Sequence, residues 1–195
     1  MSFTHVIKVP RDRIGVLIGK GGKVKEMIEQ EFNVRLDIDG ESGDVRISTN
    51  PNTRVEDMKV FKAIEFINAI ARGFSPERAK RLLAGGDDDD GDTMLNIIDI
   101  KDYVGKSHNS LERVKGRIIG KDGKARRMIE ELTNTYISVH GHYVSIIGKP
   151  EDVKLASDAV MMLITGSMHS TVYKMLEKAR RKAKLERLKL WEDKL

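Results

Sequence analysis

Cysteine is absent from the 195 residues. That excludes disulfide staples, thiolate metal sites and a cysteine nucleophile, and it fits a reducing compartment such as the cytoplasm. No stretch approaches the ~18 consecutive apolar residues of a membrane-spanning helix. The first residues, Met1 to Val6, lack the charged and apolar regions of a secretory signal. Aromatic residues make up 5% of the chain, with a single tryptophan, so a platform for stacking bases on aromatic rings is not expected.

What the sequence does have is one motif written twice. Leu17-Ile18-Gly19-Lys20-Gly21-Gly22-Lys23 and Ile118-Ile119-Gly120-Lys121-Asp122-Gly123-Lys124 align without a gap at an offset of 101 residues. Gly116 falls where Gly15 falls in the first copy. Glycine admits positive φ and lets a ligand approach without a Cβ in the way. Apolar residues at helical spacing follow each loop (Val24, Met27, Ile28; Ala125, Met128, Ile129), so each loop opens a helix. A helix start presents unpaired N–H groups and about half a positive charge, a setting that suits phosphate. Two loops suit a ligand with many phosphates.

The elements around the loops repeat too. Each half reads as a strand, a short helix, the glycine loop, a second helix, two alternating strands and a long helix. The long helices run from a cap at Thr53 to Gly73 and from about Glu151 to Gly166. A short helix opening at Ser75-Pro76 follows the first. A long basic helix, about Thr171 to Trp191, follows the second. The fold class is therefore α+β, with a β-α-α-β-β-α order in each half. Between the halves, residues 85–92 are glycine and aspartate only, a self-repelling linker. The expected domains are residues 1–84 and 93–195. Net charge is +5, distributed as +3, −5 and +7 over the first domain, linker and second domain. The excess in the second makes it the stronger candidate for a polyanion surface.

The loop, its flanking helices and the hairpin that follows resemble the type I KH domain. In that family the loop clamps the backbone of about four nucleotides of single-stranded RNA or DNA. The stretch Leu111 to Arg127 is similar to the tandem-KH proteins of archaea and eukaryotes that act in small-ribosomal-subunit assembly, the partner-of-Nob-one type. That resemblance covers nearly the whole chain. It implies binding near the 3′ end of the small-subunit rRNA, with a ribosome-maturation nuclease or initiation-factor proteins as partners. In eukaryotic relatives the first loop is degenerate, whereas here Gly19-Lys20-Gly21-Gly22 is intact.

The expected RNA-binding residues are Gly120, Lys121, Asp122, Gly123, Lys124, Arg126, Arg127, Arg117 and Lys115 in the second domain. In the first they are Gly19, Lys20, Gly21, Gly22 and Lys23. Arg127 stands where the first copy has Glu26, so the second domain is expected to dominate RNA affinity. Ile137, Ser138 and Val139 either line the floor of a base-binding groove or, for the two apolar ones, belong to the core. The enzyme reading is weak. The pattern Gly-x-x-x-x-Gly-Lys-Ser/Thr is missed by one residue and lacks the hydroxyl, and no nucleophile–base arrangement stands out. His140 and His142 have no third ligand nearby for zinc, and Asp87–Asp90 is better read as linker than as a cation site. No cofactor and no metal are expected. The competing readings are a protein adaptor in an RNA-processing complex and a subunit of an RNA-degrading complex.

Overall fold

A computed structural model describes residues 3–49, 59–83 and 92–192. The chain divides into two compact units, Met1–Leu95 and Asn96–Leu195. The linker expected at residues 85–92 lies, except for Asp92, outside the described residues, as does the cap expected at Thr53.

In the first unit, β1 (Thr4–Lys8) stops before Pro10, which has no N–H to continue a ladder. Helix α1 (Arg11–Ile18) follows and buries Ile14 and Leu17. Helix α2 (Lys23–Phe32) ends at Asn33 in the left-handed conformation, φ 51°. Asparagine tolerates that conformation better than most side chains. Strands β2 (Val34–Ile38) and β3 (Asp44–Thr49) form a hairpin, and β1 pairs on the far side of β3 to give the order β1-β3-β2. Register places His5 and Leu36 on either side of Ile47, and Ile7 and Ile38 on either side of Val45. Helix α3 (Lys59–Ala71) is apolar over much of its surface and buries Phe66, Ile67 and Ile70. Its Phe66 ring sits 5.8 Å from Phe32. Helix α4 (Pro76–Ala79) starts at Ser75, whose hydroxyl accepts the N–H of Arg78 at 3.3 Å.

The second unit repeats this plan. It contains β4 (Met94–Asp99, from Asn96 onward), α6 (His108–Ile119), α7 (Lys124–Thr133), β5 (Tyr136–His140), β6 (Tyr143–Gly148) and α8 (Pro150–Ile164), with strand order β4-β6-β5. Asn134 ends α7 at φ 52°, 101 residues after Asn33. A short helix not expected from the sequence, α5 (Lys101–Val104), precedes α6. It forms because the Asp99 carboxylate accepts the N–H of Lys101 at 2.9 Å, a side-chain bond that turns the chain. The last helix, α9 (His169–Glu192), adds Val172 and Leu176 to the core of Ile118, Ile129, Ile137, Ile146, Val160 and Leu163. Each unit is thus a three-stranded sheet with helices against it, α+β as expected.

Candidate nucleic-acid interface

The two loops share a backbone. Gly19 and Gly120 both stand at φ 73°, ψ 173°. Gly21 (62°, 26°) matches Asp122 (53°, 28°), and Gly22 (76°, 7°) matches Gly123 (74°, 14°). The first glycine is compelled twice over. Its φ is left-handed, and a Cβ on Gly120 would lie 2.7 Å from the Ala125 nitrogen, while one on Gly19 would lie 2.4 Å from Val24 Cγ2. The loop is folded that tightly onto the first turn of the helix it opens. The N–H groups of that turn lie at the positive end of a ten-residue helix in each copy.

Lys20, Lys23, Lys121, Lys124 and Arg127 are exposed, with Asp122 exposed beside them. Arg127 folds over its loop: its Nη1 lies 3.1 Å from where a Cβ of Gly123 would be. Three other expected cations are engaged within the protein. Lys115 pairs with Glu112 at 2.5 Å, and that bond holds the Glu112 carboxyl below its ordinary value. Arg126 lies 3.5 Å from Glu130 and donates to the carbonyl of Ile137 at 3.4 Å. Arg117 is turned away from the loop. Its Nε donates to the Leu163 carbonyl at 3.2 Å and its Nη2 to that of Ser167, closing the end of α8. Several cations expected to face RNA in the second unit are thus committed to partners within it. Around the loops themselves stand Lys20, Lys23 and Lys25 beside Glu26 in the first copy, and Lys121, Lys124, Arg126 and Arg127 beside Asp122 in the second, the Arg126 Nη2 lying 3.9 Å from where a Cβ of Gly123 would be.

Arg117 has a counterpart that alignment at the 101-residue offset conceals. Arg13 donates to the carbonyls of Ile70 and Phe74 at 2.8 and 2.7 Å, closing α3 as Arg117 closes α8. The two arginines occupy positions about one helical turn apart in their respective helices. Burial lowers the pKa of Arg13, with Asp12 opposing.

A second support went unread in the sequence. Glu29 accepts the N–H of Leu36 at 2.8 Å, and Glu130 accepts that of Ile137 at 2.7 Å. Each glutamate ties the helix behind the loop to the strand that follows it. Their repetition at the 101-residue offset was the available signal. Ile137 itself is fully buried in the core, so it lines no groove, whereas Val139 is only partly covered.

The α1 and α6 faces carry another repeat. Gly15 and Gly116 are exposed in mid-helix, and a Cβ on either would meet nothing within 4 Å. Neither packing nor backbone conformation requires glycine there.

His142 is occupied by Asp99, Nδ1 to Oδ1 at 2.8 Å. Among the described residues no group of three or more His, Asp or Glu side chains is placed to hold a metal ion, and Asp87–Asp90 lies outside them. No described helix is long and apolar enough to cross a membrane.

Comparison with known proteins places both halves. The eukaryotic type KH-domain (KH-domain type I) family model matches residues 94–181, and the KH domain model matches residues 4–61. A KH domain-containing protein of Methanocaldococcus jannaschii is 45% identical over 190 residues, 97% of this chain and 80% of that protein. The pre-rRNA-processing protein PNO1 of Saccharomyces cerevisiae is 28% identical over 167 residues, 86% of this chain and 59% of that protein. Among solved structures, a chain of the a/eIF2alpha–aDim2p–rRNA complex from Pyrococcus horikoshii superposes with a TM-score of 0.83 at 40% identity, covering 93% of this chain and 96% of that one.

Proposed function

The chain belongs to the KH-domain protein family, and from that premise we propose that it binds single-stranded RNA, namely small-subunit rRNA near its 3′ end, during ribosome assembly or initiation. The observation that carries the reading is the duplicated loop. Two glycine turns with matching backbone angles open two helices, and each places exposed lysines at the helix start. Single-stranded RNA supplies successive phosphates for such turns. The backbone N–H groups of the first helical turn donate to the phosphate oxygens, and Lys20, Lys23, Lys121 and Lys124 reinforce the attraction.

Both loops are assigned to RNA. The second is expected to dominate, because its loop carries one more cation, even though Lys115 and Arg117 are held by Glu112 and the end of α8. The choice of RNA is supported by the relatives: one is named for pre-rRNA processing and another was solved with rRNA and an initiation-factor subunit. Such proteins are the partners assigned here, and the cytoplasm is the compartment. The role assigned is binding rather than catalysis. A pure adaptor would have no need of lysine at matching places in both loops.

Crosslinking in cells tests the assignment. Adducts should map to residues 19–23 and 120–127, and reads should concentrate near the 3′ end of the small-subunit rRNA. Reads spread over unrelated transcripts, with adducts elsewhere on the surface, would contradict it.

A further inference from the structure

The outer part of α9 plays no part in either loop. Its first turns are anchored by Val172 and Leu176, both fully buried. From Arg181 to Trp191 every residue is exposed. These eleven residues form a rod about 16 Å long, at ~1.5 Å per residue. Helices this short are marginal alone in water, but this one continues from an anchored segment, so its nucleation is already met. The match to the KH family ends at residue 181, where the rod begins.

Between Glu177 and Trp191 stand seven Lys or Arg residues and two Glu. The two exposed ion pairs, Arg181–Glu177 at 3.7 Å and Lys182–Glu186 at 3.9 Å, offset only part of that charge. The helical repeat of 3.6 residues sorts the cations. Arg180, Lys184 and Arg187 lie along one flank. Lys178, Lys182 and Lys189 lie along the opposite flank. The apolar residues form no single face. Ala179, Ala183 and Leu190 continue the stripe of Val172 and Leu176, while Leu185, Leu188 and Trp191, three residues apart, fall on the opposite side among Arg181 and Lys184.

A helix that lies on a membrane, or docks in an apolar groove, concentrates its apolar residues on one face. This rod instead carries a row of cations on each of two opposite sides. Phosphate strands border the wide, shallow minor groove of an RNA duplex on both sides, and a rod laid along it meets one with each row of cations. We infer that the outer half of α9 is a second, sequence-independent RNA site that binds the phosphate strands of double-helical RNA. It adds to the RNA reading of the loops, which bind single strands, and it addresses a different part of a folded RNA.

The test compares the full chain with a K182Q/K184Q/R187Q/K189Q variant, glutamine being a comparable helix former. The probes are an RNA hairpin bearing a single-stranded 3′ tail, and the tail alone. The variant should bind the tail like the parent. On the hairpin it should lose roughly tenfold or more in affinity, and the slope of log affinity against log salt should shrink by about 3, from ~0.7–0.9 per phosphate contact. Equal affinity and slope on the hairpin would overturn the inference. So would loss of hairpin binding in an L185A/L188A/W191A variant with none in the charge variant, since the rod would then be an apolar docking element. If the parent binds the hairpin in this charge-dependent way but ignores the tail, the helix site stands and the reading of the loops fails.

Discussion

At the residue scale, the site rests on glycines that do two different jobs. Gly19 and Gly120 are demanded by the fold itself, through left-handed φ and a Cβ clash. Gly15 and Gly116 are not. An exposed glycine in mid-helix costs ~1 kcal/mol relative to alanine, and here the cost recurs in both copies. A ligand that approaches the bare helix backbone beside the loop would offset it. Gly116→Ala should therefore raise stability by about 1 kcal/mol in denaturant titration while weakening RNA binding severalfold. A stabilised variant with unchanged RNA affinity would remove α6 from the interface. The bond from the Ile137 N–H to Glu130 makes the opposite kind of prediction. Glu130→Ala leaves the N–H of buried Ile137 without its acceptor, at a cost of about 1–3 kcal/mol, whereas Glu130→Gln retains a carbonyl oxygen and should cost less. Equal losses in the two variants would show that the hydrogen bond to Ile137 matters little.

At the scale of elements, periodicity made most helices and strands legible. Val34-Arg35-Leu36-Asp37-Ile38 alternates and is a strand, and Val24, Met27 and Ile28 mark α2. What stayed hidden were elements and contacts decided by a single distant or side-chain bond. Helix α5 exists through Asp99, which Lys101 and His142 both engage. Arg117 read as a cation for RNA because its partners, Leu163 and Ser167, lie 46 and 50 residues away. The Asp99 turn has a pH consequence. Desolvation raises its pKa, but the bonds from His142 and Lys101 outweigh that and hold it below 3.8. Asp44, bonded by Lys8 and Ser42, is lowered likewise. A carboxyl depressed in the folded state contributes stability above its unfolded pKa and loses it as pH falls through the folded one. The urea midpoint should thus hold steady from about pH 7 to 5 and fall below about pH 4, with Asp99→Asn losing part of that decline. A midpoint that rises on acidification would contradict this.

At the scale of the whole molecule, duplication is what turns a glycine turn into an RNA clamp. The repeat of entire domains was readable from the 101-residue offset alone. The division of labour between them was not, because formal charge counts every Lys and Arg alike. Lys115 and Arg117 are held by partners in their own unit, and the loops emerge with three cations and one carboxylate in the first copy and four and one in the second. The chain is therefore proposed to have two clamps, the second carrying more charge, rather than one clamp and a passive neighbour. The most direct measurement is the salt dependence of affinity for one long single-stranded RNA, in the parent, Lys20→Asp and Lys121→Asp. Each variant should bind more weakly, and each slope should shrink by about 0.7 or more. A Lys20→Asp variant indistinguishable from the parent, beside a weakened Lys121→Asp, would contradict the claim that both loops grip RNA.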